Sequence, residues 1–251
     1  MANWSDPQFG AAPSSTTTAT GVAVDAGLRA HMLRVYNYMA SAILLTGMVA
    51  LLIGKTTMVN SLVSYDALSN YRGLSGLGWI VTLAPLGVVL WLMFGINRIS
   101  EGLAQFLFWT YATLLGASLS TIFLAYTDGS IALTFFATAA AFASLSLYGY
   151  TTKRDLSGMG TFLLMGLVGL IVASLFNIFF MSETFSLVIA AVGVLIFAGL
   201  TAYDTQKIKS VYFELQGTEF LGKAAIMGAL NLYLDFINMF LFLLRFLGSR
   251  E

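Results

Sequence analysis

The sequence predicts an all-α membrane protein with seven transmembrane helices. Three observations lead there. Hydrophobic residues make up 58% of the 251 residues before its 24 glycines are counted, where soluble domains run near 45–50% with glycine included. Charged residues are only 10%, against about 25% in soluble domains, and the mean hydropathy is +0.84. The few charges also leave long gaps between them, each wide enough for a helix to cross a bilayer.

The gaps fall in order along the chain. Residues 1–34 include the Ser/Thr/Ala/Gly-rich run from Ala11 to Gly21, read as a flexible amino-terminal tail without the basic and apolar blocks of a signal peptide. Charge-free stretches follow from Val35 to Gly54, Gly73 to Asn97, Gly102 to Thr127, Gly129 to Thr152, Leu156 to Ser182 and Thr184 to Tyr203. Each holds about 20 residues or more, enough to span a roughly 30 Å hydrocarbon core. The seventh, Ala224 to Leu244, is long enough but carries Asp235 near its middle. Residues 35–251 therefore read as one membrane domain. Pro85 lies inside the second span and is expected to kink or break it. Gly158, Gly160, Gly166, Gly169 and Gly116 are expected to let helices pack closely.

Composition excludes several functions. Twelve basic and twelve acidic side chains leave no basic excess for nucleic acid. Without cysteine there is no thiol chemistry or cysteine metal site. The one histidine, His31, falls outside the expected spans, so it offers no base, ligand or pH sensor within them. Lys and Arg count eight on the side of the amino terminus and four on the other, which places the amino terminus in the cytoplasm and the carboxyl terminus across the membrane.

Asp235 is the most informative residue. An ionised Asp at mid-membrane costs roughly 2.5–3.5 kcal/mol on insertion scales, so it persists only when paired, protonated or wetted. Asn231 and Asn238 lie within an arc of about 60° around it, giving the last helix a polar stripe that belongs at the bundle centre. The stripe reads either as an ion pathway or as a hydrogen-bonded seam between helices, and choosing Asp favours the pathway. Asp204 ends the sixth span on the side where the seventh begins, so the two acids can meet. It is otherwise an interfacial carboxylate in water. Arg98 ends the second span on that same side, either as an ordinary basic anchor or as a cation reaching inward to the acids.

The motifs around these residues carry a resemblance. The run Ala229-Leu-Asn-Leu-Tyr-Leu-Asp-Phe-Ile-Asn-Met-Phe-Leu-Phe-Leu-Leu-Arg-Phe246 resembles the terminal signature of the Bax inhibitor family. Ala202-Tyr-Asp-Thr-Gln-Lys-Ile-Lys209 and Arg98-Ile-Ser-Glu-Gly-Leu-Ala-Gln-Phe106, continuing to Leu115-Gly-Ala-Ser-Leu-Ser120, are similar to its bacterial branch. The resemblance covers about Arg29 to Gly248. It implies six helices wrapped around a central C-terminal helix, in a bacterial inner-membrane protein that is no enzyme. It also implies a pH-sensitive calcium leak channel, gated by a pair matching Asp204 and Asp235, with Arg98 as the matching latch. Calcium is then the transported ion, met by the two carboxylates, and there is no cofactor.

The physics is compatible with that expectation. Two carboxylates in a poorly solvated site cannot both ionise cheaply, so they should share a proton and titrate as one unit. Carboxylate oxygens also suit a hard cation such as calcium. Two other readings compete. A non-transporting regulator of a membrane protease or other membrane partner would need no ion path. An intramembrane aspartyl protease would also use two acids, but the Gly-x-Gly-Asp and Pro-Ala-Leu elements it needs are missing.

Overall fold

The computed structural model describes residues 15–65 and 71–249. Eight α-helices and one short hairpin follow in order. These are α1 (Ser15–Gly54), α2 (Val59–Leu62), β1 (Val63–Tyr65), β2 (Tyr71–Leu74), α3 (Gly76–Gly95), α4 (Glu101–Leu119), α5 (Asp128–Thr151), α6 (Ser157–Phe180), α7 (Glu183–Leu215) and α8 (Leu221–Leu247). A 3₁₀ turn, Ser120–Leu124, extends α4. Among the described residues, α1 and α3 to α8 are the seven helices long and apolar enough to cross a membrane.

Local chemistry starts several of these helices. Ser75, Ser100, Thr127 and Ser182 each stand in extended conformation just before a helix, and each hydroxyl accepts a hydrogen bond from the N–H three residues on. Such caps satisfy donors that the first turn leaves orphaned. Between α6 and α7, Met181 takes a left-handed φ of 49°, which turns the chain sharply into the Ser182 cap.

The apolar content then decides position. In α8, 61% of the membrane window is buried inside the bundle; in α6 the figure is 11%. Helix α8 is thus the hub and α6 faces lipid over most of its circumference. Helices α7, α1, α5 and α4 pack directly on α8, while α3 packs behind α4 and α6 behind α7. The expected arrangement around the last helix therefore has two shells.

Three sequence expectations need correction. Helix α1 begins at Ser15, so residues 15–34 are helical; residues 1–14 lie outside the described residues. Leu28, Met32, Val35, Met39 and Ala42 form a buried stripe at helical spacing, while Arg29 and Arg34 point outward. His31 consequently lies in the first spanning helix, 6% exposed, with its ring 5.3 Å from that of Tyr212 in α7. Helix α3 runs unbroken through Pro85, which is buried. The connection after Lys55 carries α2 and the β1–β2 hairpin, in which Val63 pairs with Leu74.

Helix contacts also sort the glycines. A Cβ on Gly116 would lie 2.6 Å from the Thr46 carbonyl oxygen, and one on Gly160 2.4 Å from the Tyr203 ring. Gly166 faces Ile196 at 3.1 Å, but Gly158 and Gly169 face open space. A close approach between α5 and α7 occurs at Gly149, where a Cβ would stand 2.2 Å from the Ala202 oxygen. That approach locks α5 onto α7 two residues before Asp204.

Candidate functional site

Because α7 and α8 form the most extensive helix pair, the two acids they carry are brought together. Asp235 sits on the hub helix, 4% exposed, and its Oδ2 has no hydrogen-bond partner. Asp204 is half-buried on α7, near enough for its charge to act on Asp235. A buried carboxylate oxygen without a protein partner is costly when charged, which favours its protonated form or a nearby cation.

The basic group whose charge reaches Asp204 is not the expected one. Lys207, less than a turn beyond Asp204, is the basic group whose charge acts on it, and its Nζ lies 5.9 Å over the Tyr203 ring. Arg98 is exposed in the turn after α3 and makes no ion pair with either acid. Since α3 packs on α4, α2 and β2, Arg98 stands in the outer shell in this conformation.

The two asparagines divide. Asn238 donates its amide to the Leu234 carbonyl at 2.8 Å, within its own helix, and lines a side cavity of about 230 Å³ with Ser174, Phe197 and Phe242. Asn231 is half-buried one turn before Asp235.

Hydroxyl groups that the sequence does not single out link the helices that carry the pair to their neighbours. Thr205, next to Asp204, donates to the Thr201 carbonyl at 2.7 Å and meets the Ser146 hydroxyl at 3.0 Å. Ser146 also bonds the Tyr36 hydroxyl, so one chain of hydroxyls joins α1, α5 and α7. On the other face of the hub, the fully buried Tyr233 hydroxyl meets Thr46 Oγ1 at 2.6 Å, and Thr46 donates to the Ala112 carbonyl at 2.9 Å. Glu101 places its carboxylate against Gly222, at the amino end of α8, where the helix dipole favours an anion. Ser and Thr are too common in membrane helices for spacing to flag them. Glu101 carried a signal, since an acid at a helix start in one motif can serve a second helix start nearby.

Two carboxylates supply fewer oxygens than the six to eight calcium takes. Among the described residues no group of three or more His, Cys, Asp or Glu side chains could hold a metal ion. The arrangement can exchange a proton and meet a cation in passing, with water or mobile groups completing its shell.

Comparison with known proteins covers nearly the whole chain. The family model described as "Inhibitor of apoptosis-promoting Bax1" matches residues 28–251. The chain is 45% identical over 228 residues to the inner membrane protein YbhL of Escherichia coli, covering 90% of this chain and 94% of the relative. It is 48% identical over 236 residues to an uncharacterized protein of Rickettsia prowazekii, covering 94% and 96%. An uncharacterized membrane protein of Streptococcus pyogenes is 43% identical over 157 residues, covering 62% of this chain and 68% of the relative.

Proposed function

The chain belongs to the Bax inhibitor family, and from that premise we propose that it is a pH-sensitive calcium leak channel of a bacterial inner membrane rather than an enzyme. The observation that carries the reading is Asp235: a carboxylate oxygen buried at the hub, without a partner, beside a second acid. A purely structural seam would satisfy that oxygen with a donor.

In this reading the amino terminus is cytoplasmic and calcium passes the pair, which binds it too weakly to store it. When both acids are ionised they attract a cation; when a proton is shared, the charge that Arg98 can hold is reduced. Arg98 engaging the pair closes the path, and protonation shifts the population away from that closed form. In this reading an exposed Arg98 belongs to the disengaged arm of that equilibrium. Asn231 and Asn238 extend the polar face of α8 above and below Asp235.

The test is calcium flux into liposomes containing the purified protein, measured over a pH series. Asp204→Asn or Asp235→Asn keeps the shape and deletes the titration, so each should flatten the pH dependence, and Asp235→Asn should also reduce the flux. The double variant should be little worse than the more severe single one, because the acids act as a unit. Wild-type-like pH dependence in the double variant would move the sensor elsewhere. Folded wild-type protein without flux at any pH would overturn the channel reading in favour of a regulator of a membrane partner.

A further inference from the structure

Between α1 and α5 the bundle is open. Both helices pack on α7 and α8, yet their backbones scarcely approach each other, and the Tyr36–Ser146 hydroxyl bond bridges the gap. A groove of about 740 Å³ separates them, walled by Tyr36, Met39, Phe142 and Ser146, with Phe236 of the hub helix at its floor. Along α1 it reaches from Arg29 to Leu44, a rise of roughly 22 Å. That is about half of the 40–45 Å thickness of a bilayer with its headgroups. A second cavity of about 460 Å³ meets the first at Ile43, Phe135 and Phe236 and continues to Lys55 and Asp128.

The two ends of this furrow differ in charge. At the far end Lys55 and Asp128 neutralise each other in an ion pair of 2.6 Å. At the near end Arg29 is exposed on the rim and forms no ion pair with an acid among the described residues. Lys209 stands close by, its Nζ 5.5 Å over the ring of Tyr150, another rim residue. An apolar slot as deep as one leaflet, opening beside two cations, matches the chemistry of a lipid with a negative headgroup. A second transmembrane helix, 10–12 Å across and running through both leaflets, would gain nothing from cations at one mouth.

We propose that the α1–α5 groove is a binding site for one anionic phospholipid of the leaflet on the Arg29 side. One acyl chain lies along Tyr36, Met39 and Phe142 and ends near Ile43, while the headgroup phosphate pairs with Arg29 and, more loosely, Lys209. Guanidinium suits the phosphate because it offers two parallel donors. The bound chain would lie against Tyr36 and Ser146, the hydroxyls that lead to Thr205 beside Asp204. The site does not depend on whether calcium passes.

The experiment is native mass spectrometry of the full chain in detergent, titrated with phosphatidylglycerol and, separately, with phosphatidylcholine. One phosphatidylglycerol should bind, at least fivefold more tightly than phosphatidylcholine. Arg29→Ala should lose most of that preference, and Ala143→Trp, filling the exposed wall of the groove, should lose the bound lipid. Ala40→Trp fills it from the α1 side and replaces Ala143→Trp if that variant does not fold. Equal retention by wild type and Arg29→Ala, or full retention when the groove is filled, would overturn the proposal. So would a dimer dissolved by the tryptophan variants, or a co-purifying polypeptide lost from them, since either would make the groove a protein interface.

Discussion

The contact at Gly149 gives the sharpest quantitative test of how the site is held. In Gly149→Ala the new Cβ would meet three backbone atoms of Ala202: its oxygen at 2.2 Å, its carbonyl carbon at 2.9 Å and its Cα at 3.0 Å. No side-chain rotation can relieve a clash with backbone, so α5 and α7 must separate by roughly 1 Å to recover ordinary contact. The Ser146–Thr205 hydrogen bond lies one turn along the same seam at 3.0 Å. An extra ångström takes it past the limit of about 3.2–3.5 Å and breaks it. Overpacking costs about 1–3 kcal/mol, and a lost interhelical hydrogen bond in a membrane protein about 0.6 kcal/mol. The folding equilibrium should therefore fall by roughly 15- to 400-fold. Reversible unfolding in mixed micelles, by titrating denaturing detergent, measures it. Gly158→Ala is the control, because nothing lies within 4 Å of its added Cβ; it should be neutral or slightly stabilising. Equal stability of the two variants would refute the close-approach argument.

Three further predictions follow from other parts of the molecule. Reporters fused before Trp4 and after Glu251 should read as cytoplasmic and extracytoplasmic, and the reverse pattern would refute the orientation taken from the basic residues. Arg98→Ala should raise resting calcium leak in liposomes at unchanged expression; a leak equal to wild type would make Arg98 a simple membrane anchor. In the α5–α6 connection, side-chain and backbone hydrogen bonds from Ser157 hold the exposed Asp155 carboxyl below its ordinary value, the backbone N–H reaching Oδ1 at 2.9 Å. A depressed carboxyl contributes stability above its unfolded value and loses it as pH falls through the folded one. Asp155→Asn should therefore melt slightly below wild type at pH 7, with the gap closing below about pH 3.8; a gap unchanged by acid would mean the hydrogen bonds do not depend on the charge.

Charge gaps located all seven membrane helices because lipid tolerates so few ionised groups, and Asp235 was conspicuous for the same reason. The method failed where a helix carries its charges on one face. Arg29, His31 and Arg34 interrupted the apolar run at the start of α1, although Leu28, Met32 and Val35 continue its buried stripe. A periodicity of 3.6 was the signal there, and counting charges ignores phase. The proline rule failed differently. Pro85 removes one hydrogen bond, but α3, which packs against α4, continues through it without a break. Asp204 and Asp235 were legible as a pair from the antiparallel order of the last two helices. The position of Arg98 was not, because the outer-shell placement of α3 depends on which faces pack, and a nearly uniformly apolar helix does not declare its faces.

Helix α7 has a consequence beyond positioning one acid. It continues eleven residues past Asp204 to Leu215 without a break, about 16 Å of rigid rod. Near that end Tyr212 presses on α1, its ring against His31 and its hydroxyl against the backbone at Gly27. A tilt of about 5° at the level of Asp204 would swing the tip by roughly 1.4 Å. In a close-packed contact that displacement cannot be absorbed by one side chain. The far end of α7 is therefore tied to the start of α1 by a close-packed contact, so the two helix ends can move only together.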